Sequence, residues 1–199
     1  MTTPKRKLIS ICFLDLLHRL SVEARALAWD KNLTSNDKRY LKAIVRTLEK
    51  FAEKTEVEAV WPISLKEQPA WESFLKEIFD IKNLEDEKIT EILFYYPWQV
   101  SVLEKDYEIL LLVFNKTKNL IGSGDKLKAG EYMDSIHALP DALKSGFIDR
   151  KAYFRGFFSR FLNQWPDFFN PNEIKLMKEW SNIAPSHGIK GFLRKIFYI

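Results

Sequence analysis

Two Asp-x-x-His pairs, Asp15 with His18 and Asp134 with His137, have the residue types and spacing that could do chemistry. A carboxylate and an imidazole three residues apart on a helix project from one face and can share a metal ion. Asp15 and His18 fall in the first helical stretch of the chain, and Asp134 and His137 near the end of a later one.

Carboxylate-bridged di-iron bundles direct ligands inward in a similar way, but from Glu-x-x-His pairs with a further Glu from each of two other helices. Here Asp stands in place of Glu, and Glu104 and Glu108 are only nominal candidates for the remaining ligands. Ordinary surface or capping pairs explain the same spacing, because a helical chain with 27 acids forms such pairs readily. The structural explanation takes precedence, a metal-dependent helical enzyme built on Asp15, His18, Asp134 and His137 stands as an alternative, and no cofactor is assigned.

Other candidates are weaker. Gly122-Ser-Gly-Asp-Lys imitates a phosphate-cradling loop, yet it follows a helix, not a strand, and lacks the Gly-x-x-x-x-Gly-Lys spacing. A glycine-rich helix end followed by a turn accounts for it. His187, the third and last histidine, sits in Pro185-Ser-His-Gly and reads as a loop residue. The single cysteine, Cys12, lies among Ile9, Ile11, Phe13 and Leu16 and reads as a small core residue. No catalytic residue is assigned.

The residues from Asp149 to Trp165 suit binding better than catalysis. Arg150, Lys151, Arg155 and Arg160 interleave with Tyr153, Phe154, Phe157, Phe158 and Phe161. Arginines beside exposed aromatics can grip phosphates and stack bases. An amphipathic helix with its rings inward and its cations in water is the simpler expectation. Gly156, unfavourable in a helix interior, is expected to permit a close helix crossing.

The elements that must position these residues are helical. Apolar residues recur at three- and four-residue spacing from Leu8 to Trp29 and from Tyr40 to Phe51, the second run opened by a Thr34/Asp37 cap. Further helices are predicted after Pro69, over Leu84 to Tyr96, from a Ser101/Glu104 capping pair, over Lys126 to Ala138, over Asp149 to Trp165, and after Asn170-Pro171. Thr55 to Gln68 reads as an irregular connection, and Ile189 to Ile199 as a short last helix. Alternating runs of strand length are absent. The expectation is an all-α protein: one orthogonal or bundle-like domain of about eight helices over residues 1–199, with 1–122 and 123–199 as its potential halves.

Composition is consistent with that class. Hydrophobic residues make up 46% and charged residues 29% of the 199, which argues against disorder. A lone cysteine forbids an intrachain disulfide and suits a reducing cytoplasm. The basic, apolar start around Lys5 is interrupted by Asp15, His18 and Arg19 and reads as a helix, not a leader. No apolar run is long enough for a transmembrane segment. The net charge of +4 is uneven: residues 116–199 carry 14 Lys/Arg against 8 Asp/Glu, which allows a nucleic-acid-associated role as an alternative function.

From Gly130 to Leu143 the chain reads Gly-Glu-Tyr-Met-Asp-Ser-Ile-His-Ala-Leu-Pro-Asp-Ala-Leu, and the aromatic, basic segment up to Trp165 follows. This resembles small helical bacterial proteins in which an Ile/Leu-His-Asn-x-Pro segment ends one helix and starts the next, some of them similar to toxin-immunity proteins. Ala138 stands where that pattern commonly has Asn. The resemblance implies a non-enzymatic, cytoplasmic interaction protein whose partner is another protein, a toxin domain that it occludes. A cationic toxin site would meet the acidic stretches, Glu53, Glu56 and Glu58 or Glu85, Asp86, Glu87 and Glu91. Asp134, His137 and Pro140 have a physical reading that needs no function: a proline that cannot extend one helix and a histidine that bonds a carbonyl left open at the break.

Overall fold

A computed structural model describes residues 5–29, 34–52, 99–123, 125–146 and 148–183, with the helical positions Ser73, Lys76, Glu77 and Asp80 between them. The contacts group the chain into two compact units, Met1–Lys144 and Ser145–Ile199. Residues 122 and 123 lie inside the first unit, at the end of a helix.

The first unit holds β1 (Arg6–Ser10), α1 (Ile11–Trp29), α2 (Ser35–Ala52), β2 (Gln99–Leu103), α3 (Glu104–Ser123) and α4 (Lys126–Ile136). α5 (Leu139–Ser145) follows and ends at the unit boundary. The described residues are mostly helical, as the spacing of apolar residues implied. One correction concerns strands. β1 and β2 form a two-stranded antiparallel sheet with Leu8 opposite Ser101 and Ile9 opposite Val100. The first helix therefore starts at Ile11 instead of Leu8, and Ser101 is a strand residue, not a helix cap.

The pairing has its own chemistry. The Arg6 guanidinium donates to the Ser101 hydroxyl at 2.8 Å and to its carbonyl at 2.6 Å. Ile9, Val100 and Val102 share a face, along which Lys7 reaches over the Tyr107 ring at 4.5 Å. α3 begins directly after the strand, and the Leu103 amide donates to the Asp106 carboxylate at 3.2 Å. This is the return half of a capping box, two positions later in the chain than the expected Ser101/Glu104 pair.

α1 is held by its apolar face. Phe13, Leu14, Leu16, Leu17, Leu20 and Ala24 are all buried, and α1 packs mainly on α4 and α2. Each fully buried Leu contributes about 1.5–3 kcal/mol, whereas an exposed ion pair contributes about 0–1 kcal/mol. Apolar packing therefore sets the position of α1. α2 opens with the expected cap: the Asp37 amide donates to the Thr34 hydroxyl at 3.1 Å, and the Thr34 amide donates back to the Asp37 carboxylate at 3.0 Å. Tyr40, Leu41, Ala43, Ile44 and Leu48 fill its inner face. Tyr40 also accepts from Arg19 on α1 at 2.9 Å, and burial raises its pKa against the lowering effect of that arginine.

In the second unit, α6 (Arg150–Tyr153), a π-helical turn (Phe154–Phe158) and α7 (Ser159–Gln164) run as one continuous rod, followed by α8 (Pro171–Ser181). Gly146, at φ 69°, precedes it in a left-handed conformation that a side chain would resist. α8 carries a full capping box: the Glu173 amide donates to the Asn170 side chain at 3.0 Å, and the Asn170 amide to the Glu173 carboxylate at 2.8 Å. Pro171 occupies its first turn, as Asn170-Pro171 implied.

No helix among the described residues is long and apolar enough to cross a membrane. The polar positions Ser73, Lys76, Glu77 and Asp80 are helical, in keeping with the helix predicted after Pro69. The stretches Thr55 to Gln68, Leu84 to Tyr96 and Ile189 to Ile199 lie outside the described residues.

Candidate functional site

The two Asp-x-x-His pairs meet at one junction, where α1 crosses the corner between α4 and α5. α4 ends at Ile136, His137 and Ala138 form the turn, and Pro140 sits buried in the first turn of α5. The last carbonyls of a helix have no partner within it, and proline brings no amide to satisfy one. Two imidazoles supply the missing donors. His137 Nδ1 lies 2.8 Å from the carbonyl of its own Asp134, and His18 Nδ1 reaches across from α1 to 2.7 Å from the carbonyl of His137. A carbonyl only accepts, so each Nδ1 carries the proton. His18 Nδ1 also lies 3.6 Å from the Asp141 carboxylate on α5.

The carboxylates face other groups. Asp15 accepts from Lys144 of α5 at 2.9 Å, and Asp134 is ion-paired with Arg25 of α1. All five links run between α1 and the α4–α5 corner or within that corner. A metal would need the carboxylates beside the imidazoles, and these are engaged with Lys144 and Arg25. Among the described residues no three His, Cys, Asp or Glu side chains are grouped to hold a metal ion. The arrangement cross-braces a helix break.

Gly122 of the glycine segment lies in the last turn of α3, and Gly124 lies outside the described residues. α3 runs through Ser123, and the Asp125 side chain accepts from the Lys128 amide at 3.1 Å to cap α4. That amide is directed at a carboxylate of the chain itself. Glu104 and Glu108 stand at the start of α3, Glu108 in an ion pair with Lys105 at 2.9 Å. The acidic candidates Glu53, Glu56, Glu58, Glu85, Asp86, Glu87 and Glu91, and His187, lie outside the described residues.

The basic, aromatic rod of the second unit differs from expectation in three ways. Phe157, Phe158 and Phe161 are buried as foreseen, but Arg150 is buried with them, whereas Lys151, Arg155 and Arg160 are exposed. Gly156 is exposed, and a Cβ built on it meets nothing within 4 Å, so among the described residues it serves no helix crossing. The rod also contains a π turn, closed by the Ser159 amide donating to the Phe154 carbonyl.

The reason for that turn lies in the spacing of the rings. Tyr153, Phe157, Phe161 and Trp165 recur every fourth residue. An α-helix advances 3.6 residues per turn, so three such steps drift by about 120° and would carry the last ring off the core face. One π turn holds an extra residue and removes about 100° of that drift. The rings then meet in sequence, the first pair edge to face and the others tilted, with centroids 6.3, 5.9 and 4.4 Å apart. Phe158 and Trp180 of α8 meet edge to face at 6.1 Å, and Tyr153 packs against both. This burial pushes the Tyr153 hydroxyl well above the ordinary tyrosine range.

Comparison with family models, with curated proteins and with solved structures returns no match.

Proposed function

We propose that this chain is a non-enzymatic interaction protein of the bacterial cytoplasm, of the toxin-neutralising kind that the Gly130–Leu143 segment resembles. One observation supports the reading above others: the residues with chemical potential are used in holding the scaffold. His18 and His137 close the carbonyls of the helix break, and Asp15 and Asp134 anchor Lys144 and Arg25. The motif that carries the resemblance is thus a device for rigidity, and rigid helices suit the presentation of a few anchor residues to a partner. Inhibition would be steric and electrostatic, by covering the active site of the bound toxin.

The test is genetic. If a gene adjacent to this one encodes a toxin, cells expressing that toxin are expected to survive when this chain is co-expressed and to die when it is not. Death in both cases would overturn the proposal.

A further inference from the structure

β1 and β2 have two outer edges, and the phase of their hydrogen bonds settles which groups line each. The Glu104 amide donates to the Lys5 carbonyl at 3.0 Å, continuing the register that sets Arg6 opposite Leu103. Bonded and non-bonded pairs alternate along an antiparallel ladder, so Lys7 with Val102 and Ile9 with Val100 exchange the bonds. The amides and carbonyls of Arg6 and Leu8 on β1, and of Ser101 and Leu103 on β2, then point away from the partner strand.

The two edges are treated differently. On β2 the Leu103 amide donates to the Asp106 carboxylate at 3.2 Å, and the Ser101 carbonyl accepts from the Arg6 guanidinium at 2.6 Å. Side chains of the chain itself thus occupy the outer groups of β2 before another strand can. On β1, among the described residues, neither a strand nor a hydrogen bond meets the outward backbone groups of Arg6 and Leu8. An open strand edge is a template for one further strand.

We propose that the outer edge of β1, from Arg6 to Ser10, accepts an extended acidic segment of a partner protein as a third strand. This rests on the interaction-protein reading and names the surface and the chemistry of the partner. The backbone places the surface. Only a polypeptide carries the alternating amides and carbonyls that continue a ladder, so a nucleic acid does not fit it. Charge then selects the occupant. Lys5 and Arg6 are exposed and Lys7 is half-buried, and Arg6 and Lys7 touch uncharged groups, Ser101 and the Tyr107 ring. A second copy of β1 would set the same three cations beside these, which like-charge repulsion disfavours. Carboxylates on the incoming strand would meet them as opposite charges.

The experiment uses the full chain and two fluorescent eight-residue peptides, one alternating Glu with Val and the other alternating Lys with Val. The Glu peptide is expected to bind at least about tenfold more tightly. At saturation it is expected to slow hydrogen exchange of the Arg6 and Leu8 amides at least about tenfold, read by NMR. Leu8→Pro removes an outward amide and leaves the Lys7 and Ile9 amides to bond β2, so it should abolish binding while circular dichroism shows a folded chain. If that variant does not fold, amide exchange in the parent chain decides. Glu-peptide binding that leaves the Leu8 amide unprotected overturns the proposal, as does equal binding of the Lys peptide or undiminished binding by folded Leu8→Pro. Dimerisation through β1 without any peptide, seen by sedimentation, overturns the choice of an acidic partner. Toxin rescue separates the two proposals: rescue that survives Leu8→Pro removes this edge alone, whereas strand addition of the Glu peptide without any rescue removes the toxin alone.

Discussion

His18 on α1 donates from Nδ1 to the carbonyl oxygen of His137 at 2.7 Å, joining residues 119 positions apart at the break between α4 and α5. Loss of this donor leaves a carbonyl at the break without its cross-helix partner. His18→Ala is expected to lower the free energy of unfolding by about 1–2 kcal/mol in urea titrations. Asp134→Asn, which removes an ion pair about half exposed to solvent, should cost less than about 1 kcal/mol. The reverse order of effects would mean that charge, not backbone satisfaction, holds the corner.

Tyr153 makes stability fall in alkali. Its folded pKa is raised by burial against Phe157, Phe158 and Trp180, while in the unfolded chain it ionises near pH 10. Above that pH the unfolded state has lost a proton that the folded state retains, so unfolding becomes progressively easier. The stabilisation is complete below about pH 10 and declines by up to about 1.4 kcal/mol per pH unit above it. Urea midpoints measured from pH 9 to 11 should decline less steeply in Tyr153→Phe than in the parent chain. Equal slopes would place the alkaline loss elsewhere.

Gly156→Ala is expected to raise the stability of the second unit by about 0.5–1 kcal/mol, because the methyl group meets open space and alanine is the better helix former. Phe158→Ala, at a fully buried ring, should cost about 3–5 kcal/mol. Thermal melts of the two variants, shifted in opposite directions, would check both. A destabilised Gly156→Ala would show that the π turn needs its glycine.

Much of the helical framework was legible in the order of residues, because helix formation and capping are local. The Thr34/Asp37 and Asn170/Glu173 caps appear where their types and spacing placed them, as do the apolar faces of α1 and α2. Pro140 marks the corner between α4 and α5. Even the π turn left a trace in the strict fourfold repeat of Tyr153, Phe157, Phe161 and Trp165, a period too long for a straight α-helix.

What tertiary structure decided was every relationship between distant residues. Residues 6–10 and 99–103 are too short to announce themselves as strands, and each pairs only with a partner far along the chain. The two Asp-x-x-His pairs were visible as types, but their meeting at one junction was not, nor was the diversion of their carboxylates to Arg25 and Lys144. Likewise the burial of Arg150 and the exposure of Arg160 follow from how the rod is wound, not from the charges themselves. Periodicity records which face a local element must hide. The partner against which it is hidden is selected by packing among all the elements together, and no window of neighbouring residues contains that information.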